Sequence, residues 1–178
     1  MQRLTFVHVN DQHASFAPPP GSSGTDSPPP VGSAQPPQHS PWARQRGVFE
    51  QTREANPFTL FTNAGDDHEK GTVAEHMCEP RGAIIAEAVR AMRFDVRALG
   101  NHDFCHSLAG VSGFTADQEN TLVLCSNVVP AAGSTLSWGA VRYGVKQVGQ
   151  LRVGFFSLVS RPWDELQTQP EHLNFYDL

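Results

Sequence analysis

Four short apolar segments of this chain each run into a polar cluster, and helical segments separate the first three of them. The apolar segments are rich in β-branched and aromatic residues, which is typical of strands. The predicted strands span residues 4–9, 58–62, 95–99 and 121–125, and the predicted helices span residues 42–55 and 80–92. Because strands and helices alternate, the sequence predicts a layered α/β fold with a largely parallel sheet. Two later segments, 143–148 and 151–158, are predicted to pair as a hairpin.

A Pro/Gly/Ser-rich stretch interrupts this alternation between residues 18 and 41. It includes two runs of three prolines, 18–20 and 28–30, and almost no apolar residue. Such a composition buries too little apolar surface to offset the entropy of ordering, so it predicts a disordered insertion. At its end, Ser40 is placed to cap the following helix, with Pro41 in the first helical turn.

Charge and hydropathy exclude some classes of partner. The net charge of −5 and the pI near 5.9 argue against a nucleic-acid partner, which usually requires a basic face. No window approaches the roughly 18 consecutive apolar residues of a membrane span, so no membrane partner is predicted. The first residues do not read as a signal peptide, which makes the cytoplasm the default prediction for localisation. The three cysteines have no metal-type spacing and are predicted to be reduced thiols.

The polar clusters lie where chemistry is expected in such a fold. Ligands of parallel α/β sheets bind beyond the carboxyl ends of the strands. Each cluster of this chain follows a predicted strand. The clusters are Asp11-x-His13, Gly65-Asp66, Gly100-Asn101-His102-Asp103 and Ser126-Asn127. One such cluster alone often just closes a turn, but their shared placement predicts one site.

The residue types in these clusters fit a pair of divalent metal ions. Two ions about 4 Å apart can clamp the attacking and leaving oxygens of a phosphoryl transfer. Asp11 and His13 are spaced to share one ion, and Asp66 is placed to bridge both. Asn101 offers a neutral amide oxygen to the second ion, and imidazole ligands favour Zn, Mn or Fe. His102 is predicted to steady the phosphate or protonate the leaving oxygen.

This set resembles the calcineurin-like metallophosphoesterases, most closely their 5′-nucleotidase branch, over nearly all of the chain outside the insertion. The resemblance implies a four-layer α/β/β/α domain that hydrolyses nucleotides or related phosphate esters. It implies metal ligands at Asp11, His13, Asp66 and Asn101, and a substrate-binding role for Asn101 and His102. It also implies that His102 is the catalytic histidine. The partner would be a small phosphate ester, and similar enzymes are often exported.

Two positions depart from the pattern of that branch. Four residues, rather than three, separate Asp66 from Gly71-Thr72, and Cys105 stands where the branch commonly has an Asp that orients the histidine. A thiol cannot stabilise an imidazolium as a carboxylate does, so either Asp103 or another group is expected to take over, or the acid catalysis is expected to be weaker. Asp103 is therefore predicted to be catalytic together with His102. His68 and Glu69, near Asp66, are interpreted as surface residues of a loop.

The resemblance also implies further metal-binding histidines, and nothing after Asn127 matches them. His172 has no matching frame and is interpreted as a surface residue, and the residues from Phe175 onward are interpreted as the lead-in to a helix. Residues 1–178 are thus predicted to be the N-terminal portion of a metallophosphoesterase domain, truncated after its first half and weakly active or inactive alone. The alternative is a noncatalytic module that keeps the scaffold without the chemistry.

Overall fold

The computed structural model describes residues 3–14, 40–69, 72–77, 81–105, 108–116, 120–160 and 172–176. Its centre is a four-stranded parallel sheet in the order β1-β2-β3-β4. The strands are β1 (Thr5–Val9), β2 (Thr59–Asn63), β3 (Val96–Ala98) and β4 (Leu122–Leu124). The α/β fold class with a parallel sheet is confirmed, and each strand bound lies within one residue of the predicted bound.

Four α-helices connect and flank these strands in the part of the chain that the structure describes. They are α1 (Pro41–Ala55), α2 (Val73–His76), α3 (Ala83–Met92) and α4 (Leu108–Thr115). The Oγ of Ser40 accepts the Ala43 N–H at 3.2 Å, so Ser40 caps α1 as predicted. Ser40 and Pro41 therefore belong to the helix boundary rather than to the insertion. The rest of the predicted insertion lies outside the described residues. α4 was not predicted, because its apolar content is not periodic.

Aromatic side chains pack α1 and α3 onto the sheet. Phe49 of α1 stacks on Phe61 of β2 with ring centroids 4.3 Å apart, and Phe61 lies 4.5 Å from Phe94. All three side chains are buried. Val48, next to Phe49 in α1, is exposed, whereas Trp42 is buried like Phe49. This packing stabilises the sheet, whose carboxyl edge carries the polar loops.

Two small antiparallel sheets complete the described part. The hairpin is confirmed: β6 (Tyr143–Val148) pairs with β7 (Leu151–Phe156). The residues from Phe175 onward, interpreted as the lead-in to a helix, begin at the last residue of β8 (Leu173–Phe175), and residues 177–178 lie outside the described residues. β8 itself was not predicted, and it pairs with β5 (Val128–Pro130). That strand gains its hydrogen bonds from a partner more than 40 residues away, which local sequence does not reveal. Within the described residues, no helix combines the length and apolar character needed to span a bilayer.

Candidate metal centre

Three of the four predicted polar clusters meet at the carboxyl edge of the parallel sheet. Asp11 follows β1, Asp66 follows β2, and Asn101 with His102 follows β3. Because these strands are parallel neighbours in this order, their carboxyl ends lie side by side. The fold thereby brings the side chains that the sequence singled out to one loop cluster.

The loops after β1 and β2 run alongside each other beyond the strands. The N–H groups of Asp11, His13 and Ala14 donate to the carbonyls of Gly65, Asp66 and Asp67, at 3.0, 3.0 and 2.8 Å. Asp11, His13, Ala14 and Asp66 all have positive φ, between 45° and 57°. Such backbone is uncommon outside glycine, and its persistence requires support from the surrounding structure. The hydrogen bonds between the loops provide that support.

One group of potential metal ligands consists of Asp11, His13 and Asp66. Each offers a ligand atom, and these atoms lie within 4.8 Å of one another. His13 Nε2 is 3.4 Å from Asp11 Oδ1. Two carboxylates and an imidazole suit Zn, Mn or Fe, so the donor chemistry fits the ions that the sequence predicted.

A second group shares His13 and adds Glu69 and His102, again with ligand atoms within 4.8 Å. Glu69 Oε2 is hydrogen-bonded to His13 Nδ1 and lies 3.7 Å from His102 Nδ1. The rings of His13 and His102 meet edge to face, with centroids 4.7 Å apart. Burial lowers the pKa of His13, but its hydrogen bonds to Glu69 and Asp11 and the charges of Glu69 and Asp66 outweigh this and raise it.

Asp103 lies beneath the loops rather than in the open site. Its buried carboxylate accepts the backbone N–H groups of Gly100, Asp66, Asp67 and His68, at 2.8, 3.1, 3.1 and 3.3 Å. Burial, followed by the charge of Asp67, raises the pKa of Asp103 to about 6. These contacts give Asp103 a direct part in fixing the backbone that presents Asp66.

The backbone N–H of His102 donates to Asp66 Oδ1 at 2.9 Å, which joins the third loop to the second. Asn101 immediately precedes the 3-10 turn His102–Phe104.

The fourth predicted cluster, Ser126-Asn127, has a structural role. Asn127 is buried, and its amide donates to the Val159 carbonyl at 2.8 Å and accepts the Val159 N–H at 3.0 Å. Asn127 thus ties the residues after β7 to those after β4.

The interpretation of His68 and Glu69 as surface residues is wrong for His68 and incomplete for Glu69. His68 is 1% exposed and packs edge to face on Phe114, with centroids 4.3 Å apart. Glu69 is half-buried between two histidines. The only sequence signal was their position directly after Asp66. His172 is also half-buried, and its Nδ1 lies 3.4 Å from Ser134 Oγ.

A buried charge cluster underlies the site. Arg97 of β3 is fully buried, and its guanidinium lies 3.6 Å from the ring centroid of Phe114. Asp67 is also fully buried and accepts two contacts from Asn63 Nδ2, at 2.8 and 2.9 Å. Burial raises the pKa of Asp67, and the charge of Arg97 opposes that rise.

Known proteins similar to this chain in sequence and in fold include several named 5′-nucleotidase. The chain is 28% identical to human 5′-nucleotidase and 27% identical to the snake venom 5′-nucleotidase of Crotalus adamanteus, over 176 residues in each case. Its fold superimposes on the 5′-nucleotidase precursor of Thermus thermophilus with a TM-score of 0.72 at 26% identity. It matches the NAD nucleotidase of Haemophilus influenzae with a TM-score of 0.74 at 20% identity. No family model matches the chain.

The chain thus resembles the 5′-nucleotidase-like metallophosphoesterases in sequence and in fold. Each of these four alignments covers 98% of the chain. The chain in turn spans 28% and 29% of the two relatives, and 32% and 33% of the two solved structures. The aligned region therefore includes the three loops of the candidate metal centre, within about a third of each relative's length.

Proposed function

We propose that the protein is a phosphoesterase that hydrolyses nucleotides or related small phosphate esters at a two-metal site. The observation that carries this proposal is the group Asp11, His13 and Asp66 at the carboxyl edge of the sheet, with the backbone of His102 hydrogen-bonded to Asp66 beside it. Curated relatives named 5′-nucleotidase support the same chemistry. The biological process that we propose for the protein is accordingly the breakdown of nucleotides.

Each proposed metal ligand has its own role. Asp11, His13 and Asp66 would hold one ion, Asp66 would also reach the second, and the amide oxygen of Asn101 would bind that second ion. The ions would supply positive charge to the phosphate and its attacking and leaving oxygens. The parallel run of the β1 and β2 loops supports this assignment, because it fixes Asp11 and Asp66 relative to each other.

His102 is the proposed catalytic histidine. In hydrolysis, a bond forms between water oxygen and phosphorus while the bond to the leaving alkoxide breaks, and the alkoxide must gain a proton. His102 would bind the phosphate together with Asn101 and supply that proton. Asp103 would contribute by holding the backbone of the Asp66 loop, to which it is hydrogen-bonded, since its carboxylate already accepts four N–H groups.

The substitution Asp66→Asn tests the proposal in the full-length gene product. Asn tolerates the positive φ of 57° at this position and keeps an oxygen for the His102 N–H, so the fold should persist. Losing one charge between two cations should reduce the hydrolysis of a nucleoside monophosphate at least about 10²-fold and lower the number of bound ions. Glu54→Gln on the exposed surface of α1 is the matched control and should change neither.

Metal stoichiometry separates the enzyme from the alternative of a noncatalytic scaffold. Two bound ions together with EDTA-sensitive hydrolysis support the enzyme. A folded full-length protein with neither bound ions nor turnover, or an Asp66→Asn variant with full activity and both ions, would overturn the proposal.

A further inference from the structure

Glu69 contacts two histidines with the same carboxylate oxygen. Its Oε2 is hydrogen-bonded to Nδ1 of His13 and lies 3.7 Å from Nδ1 of His102. Thr72 holds the other side of this residue, because its N–H and Oγ1 both donate to the Glu69 carbonyl, at 3.3 and 3.1 Å. Glu69 thus links the loop after β1 to the loop after β3.

An ionised carboxylate only accepts hydrogen bonds, so a neutral ring that is hydrogen-bonded to one through Nδ1 carries its proton on that nitrogen. Glu69 is hydrogen-bonded to Nδ1 of His13, which leaves the lone pair on Nε2, the nitrogen 3.4 Å from Asp11. Nδ1 of His102, at 3.7 Å, is close enough to Glu69 for its charge to favour a proton there but lies beyond hydrogen-bond distance. A carboxylate partner on the opposite ring nitrogen commonly fixes the tautomer and orientation of a metal-binding histidine.

The sequence left open which group orients His102, given Cys105 at the usual position of an acid. Asp103 is buried and bound to four backbone N–H groups. Glu69 is half-buried, and its side chain is 34% exposed. A carboxylate at such a partly desolvated position acts more strongly on a neighbouring ring than one in bulk water.

We propose that Glu69 is a positioning residue that sets the ring orientation and tautomer of both His13 and His102. The role rests on the proposed phosphoesterase function, in which His13 holds an ion and His102 acts on the substrate. One side chain would thereby couple the geometry of the metal site to that of the proton donor.

The first readout needs no metal and no turnover. Side-chain ¹⁵N NMR of the metal-free full-length protein, at a pH where the rings are neutral, reports which nitrogen carries the proton. In the wild type, His13 and His102 should both be protonated on Nδ1. Glu69→Ala should shift both rings toward protonation on Nε2, whereas Glu69→Gln, which retains an acceptor oxygen, should largely preserve the wild-type pattern. Glu87→Gln, at an exposed glutamate of α3, is the matched control.

The second readout uses leaving groups of different basicity. A poorly positioned proton donor matters most when the leaving alkoxide is basic. Glu69→Ala should therefore lower kcat about 10- to 100-fold for a nucleoside monophosphate. The loss should be much smaller for 4-nitrophenyl phosphate, whose phenolate leaves without a proton, and KM should change little for either substrate.

The outcomes distinguish this inference from the proposed function. If the wild type hydrolyses phosphate esters but Glu69→Ala leaves the tautomers and the leaving-group dependence unchanged, Glu69 has no positioning role and the phosphoesterase stands. If Glu69→Ala loses one bound ion at saturating metal, Glu69 is a metal ligand and the inference is wrong. If the wild type neither binds metal nor hydrolyses esters, the proposed function fails, while the tautomer measurement still reports on Glu69.

Discussion

Gly100 lies so close to Asp66 that a Cβ on residue 100 would come within 2.1 Å of Asp66 Oδ1. Gly65 approaches Gly100 from the other side, and its own Cβ would lie 2.2 Å from the Gly100 nitrogen. The carboxylate of Asp66, which we propose bridges the two ions, is therefore positioned by two glycines that allow the loops after β2 and β3 to come into contact.

Gly100→Ala should consequently displace Asp66 and weaken metal binding. Overpacking of this kind costs about 1–3 kcal/mol of folding stability, so the melting temperature should also fall. Calorimetric titration with Mn²⁺ and thermal unfolding measure the two effects. Gly47→Ala in α1 is the control, because a Cβ there meets nothing within 4 Å. It should raise stability by about 0.5–1 kcal/mol. Wild-type affinity in Gly100→Ala would mean that the loops separate without cost.

The local sequence was sufficient to predict those elements whose structure depends on nearby residues. The four parallel strands, α1 with its Ser40 cap, and the β6–β7 hairpin all follow from periodicity and turn residues within a few positions. The proximity of Asp11, Asp66 and His102 could also be predicted, because parallel strands bring their carboxyl ends to one edge of the sheet.

Structure determined by distant contacts could not be predicted. β8 depends on pairing with β5, and the burial of His68 depends on Phe114 in a helix that the sequence pattern did not reveal. Glu69 was interpreted as a surface residue because its two histidine partners come from different loops, more than 30 residues away in each direction along the chain. Asp103 was expected beside the histidine, but its backbone contacts arise only once the loops have packed.

Arg97 and Asp67 are both fully buried, and the charge of Arg97 opposes the rise in the pKa of Asp67. Arg97→Met removes that charge, whereas Asp67→Asn removes the carboxylate but can still accept from Asn63. Residues of one buried polar network show coupling energies of about 0.5–3 kcal/mol. In chemical denaturation, the loss of unfolding free energy in the double variant should therefore differ from the sum of the two single losses by about that amount. Additive effects of the two substitutions would show that the charges do not interact.

Deletion of the Pro-rich stretch should leave the fold intact only if the helix cap is kept. The composition of residues 18–39 predicts little contribution to the core, so the variant without them should melt near the wild-type temperature. Extending the deletion through Ser40 removes the oxygen that accepts the Ala43 N–H and should cost about 1 kcal/mol more. Thermal unfolding of the two deletion variants compares them directly. A large loss from the shorter deletion would show that the stretch packs against the domain.

Cys125 should resist thiol reagents in the native protein. It is 1% exposed, and burial raises the pKa of its thiol to about 12. Only the thiolate reacts, so at pH 8 its reactive fraction should be about three orders of magnitude below that of an exposed cysteine with an ordinary pKa near 8.5. Mass spectrometry after a pulse of iodoacetamide should find the Cys125 peptide unmodified in the native protein and fully modified in urea. Its labelling should rise as the pH rises toward 12, provided that the fold persists. Rapid native labelling at pH 8 would show that the end of β4 opens to solvent far more often than a core strand of this sheet should.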